Sequence, residues 1–158
     1  MARFSLGLDL SPQSLTAILL EIDTGKKIFT RSIDYYNDER LRGIGIRDDF
    51  IIPPRTAGEA DQPPSLFLKA LDAMFSDLHN EGLALADVLV INNSSQQHGH
   101  VYLNSASRVL FSSLKRKPKD KASNLTDMIK GTFAYGTAPI WTASTPLQAT
   151  PYAPLKPS

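Results

Sequence analysis

Two stretches hold residue types that can do chemistry. The first is INNSSQQHGHVYLN, residues 91–104, which sets two of the chain's three histidines, His98 and His100, beside the pair Gln96 and Gln97. Amides, hydroxyls and imidazoles offer donors and acceptors together, so the stretch is either a ligand site or a polar turn whose histidine bonds backbone. A metal site on His98 and His100 ranks lower, because i and i+2 share one side of a strand but no third ligand stands nearby. The second stretch is RFSLGLDLSPQS, where Asp9 closes an alternating run and a tight polar turn follows. A carboxylate at a strand end can hold a metal-bound water toward phosphates. Read by itself, it is more often an Asp that caps a turn.

The elements that must position these groups can be read from periodicity. Phe4, Leu6, Leu8 and Leu10 alternate with Ser5, Gly7 and Asp9, which predicts a strand. SLTAILLEID predicts a second strand, apolar on both faces and therefore central. DTGKK is a turn with Gly25 free to take a positive φ, and KIFTRSIDYY predicts a third strand. Short connections make the three an antiparallel meander. Residues 37–64, rich in charge, Gly and Pro, read as a long excursion with one short strand at FII.

PPSLFLKALDAMFSDLHNEG predicts a helix. Phe67, Leu71, Met74 and Leu78 form its apolar stripe, Leu68 and Phe75 widen it, Asp61 or Ser65 caps its start and Gly82 its end. DVLVIN predicts a short, wholly apolar strand, parallel to an earlier one because a helix precedes it. HVYLN is a further strand, RVLFSSL is open between strand and helix, and KRKPKDK is a solvated basic loop. SNLTDMIKGTFAYG predicts a second helix with Leu125, Met128, Ile129 and Phe133 on one face. The domain is expected to span 1–136. Residues 137–158, with five of the 11 prolines, are expected to form an extended tail.

Composition narrows the classes. The 158 residues suit one domain with a core of its own. A net charge of +1 gives no reason to expect nucleic acid or a membrane surface as partner. With no cysteine there are no disulfides and no Cys-ligated zinc. No apolar run approaches the roughly 20 residues of a membrane span, and the broken N-terminal pattern is unlike a signal peptide, so a cytoplasmic location is expected.

The order strand, strand, strand, helix, strand is the core of the ribonuclease H-like fold of actin-like ATPases and sugar kinases, with a mixed sheet flanked by helices; it is one of several α/β arrangements that the pattern admits. LGLDLSPQSLTAILLEID resembles the opening of FGGY-type carbohydrate kinases. INNSSQQHGHVYLN is similar to the GQQHG segment of their xylulose kinase branch, and TAPIWTAST to the APxWxDxST segment that follows it. The helix PPSLFLKALDAMFSDL and the KRKPKD loop fall where eukaryote-like xylulose kinases have a comparable helix and loop.

The resemblance implies an N-terminal lobe of a two-lobed kinase that phosphorylates D-xylulose with ATP and Mg²⁺. It assigns Asp9 the metal and phosphate-facing role, with Gln13 and Ser14 as phosphate donors. It makes Gln97 and His98 the ligands of the ketose hydroxyls, with Trp141 packed over the sugar or else in a core. The family's catalytic Asp belongs to the second lobe, so none is assigned here; Asp48 and Asp49 match no catalytic motif. Three departures stand out. Pro12 replaces a Thr and brings neither hydroxyl nor N–H. Asn93 and Ser95 replace small glycines. After Trp141 an Asp is missing, with Ala143 near its place. The lobe by itself is therefore expected to be inactive, to hold no tightly bound cofactor, to bind sugar weakly, and to pair with a second lobe or with itself. The alternative is a repurposed, non-catalytic protein-interaction domain.

Overall fold

The order of pairing in the main sheet follows from connection length. β1 (Phe4–Leu10), β2 (Ser14–Glu21) and β3 (Lys27–Asp34) are joined by turns too short for anything but antiparallel neighbours. Gly25 takes φ +69° in the second turn, as expected, and its N–H donates to the Glu21 carbonyl at 2.8 Å. α1 (Pro64–Asn80) then carries the chain across to β5 (Val88–Ser95), which lies parallel to β1. The strand order is β3-β2-β1-β5, with the antiparallel meander and the parallel β5 that were expected. This computed structural model describes residues 3–42, 57, 61–83, 85–96, 100–103, 106–116, 124–130 and 140–144.

One face of that sheet makes the core. Phe4, Leu6 and Leu8 of β1 are buried with Leu15, Ala17 and Leu19 of β2 and with Phe29 and Ile33 of β3. Against them α1 sets Leu66, Ala70, Ala73, Met74 and Leu78, all buried. The predicted stripe is shifted: Phe67, Leu71 and Phe75 flank this core half-buried, and small alanines make the close approach. The N-cap position falls on neither Asp61 nor Ser65. Pro63 is the N-cap residue without a side-chain bond, and Pro64 at the first position has no N–H to satisfy. At the other end Gly82, at φ +75°, closes the helix with its N–H on the His79 carbonyl.

Among the described residues, apolar side chains are left exposed on the opposite face of β2 and on both faces of β5, which differs from two expectations. β2 is central, yet Ile18 and Leu20 remain about 40% exposed. β5 is at the sheet's edge, and Leu89, Val90 and Ile91 are more than half exposed although their run reads as buried on both faces. Apolar periodicity reports what a strand is able to bury, whereas the covering element is decided by the rest of the fold. β5 also runs longer than its apolar part, so Asn92–Ser95 belong to the strand itself.

A second sheet has the order β4-β7-β6, from Asp61–Gln62, Ile140–Ser144 and His100–Leu103. β7 lies inside the segment expected as a tail; its Ile-Trp-Thr-Ala-Ser run is pleated-surface material. The remainder of 137–158 lies outside the described residues, as do the FII segment and Phe133. RVLFSSL is resolved as helix α2 (Ala106–Leu114), and the second predicted helix is described as α3 over Leu125–Lys130, the part after Lys130 lying outside the described residues. The start of α3 is capped from α1: Asp72 accepts the N–H of Leu125 at 2.6 Å and of Thr126 at 2.8 Å.

An ion-pair network that periodicity does not reveal ties α1 to the meander. Asp77 is buried on the inner face of α1 and accepts Arg40 through both oxygens, at 2.6 and 3.1 Å, and Arg31 at 3.1 Å. Arg40 also pairs with Asp38 at 2.6 Å. Burial pushes the Asp77 carboxyl up, but the hydrogen bonds from Arg40 and Arg31 outweigh it and hold it below its ordinary value. The hydrogen bond from Arg40 likewise lowers Asp38. Both folded-state values lie below the unfolded ones. The stabilisation is thus complete above the unfolded carboxylate value, about 4, and is lost as pH falls through the folded values. Asp77→Ala is expected to cost about 1.5–3 kcal/mol, in the lower half of that range because the two arginines are about 40% exposed. Urea midpoints measured from pH 7 down to pH 3 check this. The wild-type fall in stability below pH 4 should be shallower in Asp77→Asn.

Candidate functional site at the ends of β1 and β5

Parallel pairing brings two strand ends to one edge of the sheet. Asp9 is paired with Ser94 of β5 on one side and with Thr16 of β2 on the other. Thr16 in turn faces Ser32 of β3, with 3.0 Å between their hydroxyl oxygens. Directly paired residues share a face, so Ser32, Thr16, Asp9 and Ser94 form one polar row across four strands. Asp9 is exposed within it. The row surrounds a carboxylate with hydroxyl oxygens, which suits a hard, hydrated divalent cation such as Mg²⁺.

Beside Asp9 the chain turns from β1 into β2 with Pro12 and Gln13 at the tip. The Ser11 N–H donates to the Ser14 carbonyl at 2.9 Å. Ser11 Oγ accepts the Ser14 N–H at 3.0 Å and the Gln13 N–H at 3.3 Å. Those two amides are the ones expected to meet phosphate, so a ligand oxygen has to replace Ser11 Oγ. Gln13 is exposed and Ser14 half-buried, with its hydroxyl 3.1 Å from that of Ser11.

The carbonyls of this turn are held from behind. Gln96 N–H donates to the Leu10 carbonyl at 2.9 Å, and Tyr35 N–H to the Gln13 carbonyl at 3.0 Å. The Pro12 carbonyl accepts Gln62 Nε2 at 2.9 Å. Gln62 is 7% exposed, and its Oε1 has no partner among the described residues. A buried bond contributes about 0.5–1.5 kcal/mol net, and an unmatched buried carbonyl costs about 1–3 kcal/mol. Gln62 therefore adds little or nothing to stability. Tyr35 is 1% exposed, stacked edge-on against Phe67 at 6.1 Å, and its hydroxyl also has no partner among the described residues. Burial first, and the Asp9 carboxylate second, push its phenol well above the ordinary range.

Of the residues expected at the site, Asp9, Gln13 and Ser14 are brought together on one edge, and β5 delivers Gln96 to the same edge. Gln97, His98 and Gly99 lie outside the described residues, as do Asp48 and Asp49. Asn93 and Ser95 lie on exposed β5, paired with Leu8 and Leu10. The backbone of Trp141 is paired with Tyr102 and that of Ala143 with Gln62, so the strand bearing the WTAST segment lies beside the one that follows QQHG. His100 begins β6 rather than continuing β5, and no cluster of three metal-ligating side chains occurs among the described residues.

Sequence reading missed Thr16, Ser32, Ser94, Ser11, Gln62 and Tyr35. A two-residue loop between Ser11 and Ser14 already pairs Asp9 with Thr16, so that much was available from turn length. Ser94 and Gln62 carry no local signal.

No family model matches the chain. It is 32% identical over 136 residues to the probable D-xylulose kinase A of Aspergillus flavus, covering 86% of this chain and 22% of that protein. It is 28% identical over 142 residues to the xylulose kinase of Saccharomyces cerevisiae, with 87% and 22% covered. A gluconate kinase structure from Lactobacillus acidophilus superposes with a TM-score of 0.48 at 18% identity, over 73% of this chain and 23% of that one. The chain thus spans under a quarter of the length of the relatives it matches. Over most of its own length, the chain is similar to a part of these xylulose kinases.

Proposed function

We propose that the chain is the sugar-side lobe of an ATP-dependent xylulose kinase. The observation that carries this reading is the parallel pairing of β1 with β5, which puts Asp9 at the edge from which the QQHG segment departs. Bound Mg-ATP supplies the phosphoryl group and neutralises its charge. Asp9 would hold the Mg²⁺ through water, with the hydroxyls of Thr16 and Ser94 beside it. Gln13 and Ser14 would offer main-chain N–H groups to phosphate oxygens; Pro12 has none to offer. The Gln97 amide and His98 imidazole would orient the ketose hydroxyls, and Trp141 would cover a sugar face.

The lobe's partners follow from the same reading. They are a ketose and, on the sheet face opposite the core, either the remainder of a longer kinase chain or a second copy. Sedimentation velocity at high concentration tells a monomer from a dimer. A cytoplasmic location is part of the proposal; among the described residues no helix is long and apolar enough to cross a membrane.

Sugar binding by this chain is expected to be weak. One lobe leaves the ligand solvated on its other side. Ala143 in place of an Asp removes a charge-assisted bond of about 1.5–3 kcal/mol, roughly 10- to 150-fold in affinity. The test is a D-xylulose titration that follows the His98 imidazole signals by NMR. Saturable shifts at His98 support the assignment. Sub-micromolar binding, or shifts only on the far side of the sheet, would remove it.

A further inference from the structure

Resting on the reading of Asp9 and its turn as a phosphate-facing edge, we infer that Gln62 is a positioning residue that sets the direction of the Pro12–Gln13 peptide. Gln62 lies 50 residues along the chain, in β4, and reaches the turn only through its side chain. A carbonyl can only accept, so the amide atom that touches Pro12 is the NH₂ and the orientation of Gln62 follows.

A trans peptide points its carbonyl and the next N–H to opposite sides. With the Pro12 carbonyl drawn inward onto Gln62 at 2.9 Å, the Gln13 N–H is turned outward, where only a 3.3 Å contact to Ser11 Oγ occupies it. A phosphoryl oxygen can displace so long a bond. The carbonyls of Leu10 and Gln13 are held by main-chain donors of Gln96 and Tyr35, whereas that of Pro12 depends on one side chain. Pro12 has already removed one N–H from the tip, so the direction of this peptide decides half of the tip's remaining main-chain donors, Gln13 and Ser14. Gln62 is buried with its other amide atom unmatched among the described residues, so its contact is poorly explained as a stabilising one. Its effect is on the shape of the turn, and the ligand class served is an anionic phosphoryl group.

The test uses the 158-residue chain with Gln62→Met and Gln62→Glu. Two readouts are taken: amide-exchange protection at Gln13 and Ser14, with Leu15–Leu19 of β2 as the internal check of folding, and broadening of the Asp9–Ser14 amide signals by Mn²⁺-ATP. In Gln62→Met, protection at Gln13 and affinity for Mn²⁺-ATP are each expected to fall about tenfold while β2 stays protected. In Gln62→Glu, a protonated carboxyl can still donate to Pro12. That variant should match wild type at low pH and match Gln62→Met once the carboxyl ionises, above the usual Glu range because the site is buried. Lost packing would give no such pH-dependent rescue. Unchanged protection and broadening in Gln62→Met, or a Gln62→Glu variant without pH dependence, would overturn the inference. If wild type shows no Mn²⁺-ATP broadening while exchange responds as expected, Gln62 still positions the turn and the phosphate reading is what fails.

Discussion

Assayed by itself with Mg-ATP and D-xylulose, the 158-residue chain is expected to show no sugar-dependent release of ADP. Phosphoryl transfer needs a base for the acceptor hydroxyl, and its loss costs typically 10²–10⁴-fold. Asp9 is proposed for the metal, and Asp38 and Asp77 are engaged with arginines, so none of these three is free to act as that base. Alignment is the larger share of catalysis in this chemistry, and a single lobe provides only one wall to align against. The chain matches 22% of the length of its xylulose kinase relatives. A coupled assay of ADP release, with and without sugar, decides the matter. A sugar-dependent rate that Asp9→Ala abolishes would show that one lobe suffices.

Leu6→Ala is expected to be the most damaging single core substitution described here, at about 2–5 kcal/mol. Leu6 is fully buried in the middle of β1, which is bonded on both sides, and it is paired with Leu19, itself almost fully buried. The sheet cannot collapse into the space left, so lost burial and a cavity add together. Against a total stability of about 5–15 kcal/mol for a domain, this removes a large fraction. Leu89→Ala, on the exposed edge strand, is expected to stay within about 0.5 kcal/mol. Urea denaturation of both variants separates them. Equal losses would mean that Leu89 is covered in solution.

Hairpins and helix α1 were legible because each depends on neighbours close in sequence, and the parallel direction of β5 because a helix precedes it. The Gly25 and Gly82 turns were legible for the same reason: positive φ is a property of one residue. The site was legible in part. Asp9 at a strand end and the QQHG segment were visible as residue types. Their meeting at one edge depends on which strand β5 joins, a contact between residues some 85 positions apart.

Of the second sheet only β6, predicted as the HVYLN strand, was legible. β4 has two residues and no periodicity of its own, and β7 sits in a Pro-rich segment, so pairing with neighbours makes each a strand, β4 with β7 and β7 with both β4 and β6.

The sequence by itself therefore determined the local elements, the alternation that faces Leu6 and Leu8 toward a core, and the chemical types gathered near Asp9 and His98. Those are set by backbone propensity and the two periods of secondary structure, which act over a few residues. The tertiary structure decided three other matters. It left the apolar residues of β5 uncovered, it drew Thr16 and Ser94 alongside Asp9, and it brought Gln62 to the Pro12 carbonyl. Each depends on a contact across the fold. A side chain's type says what it can bond, and only the packing of distant segments says what it meets.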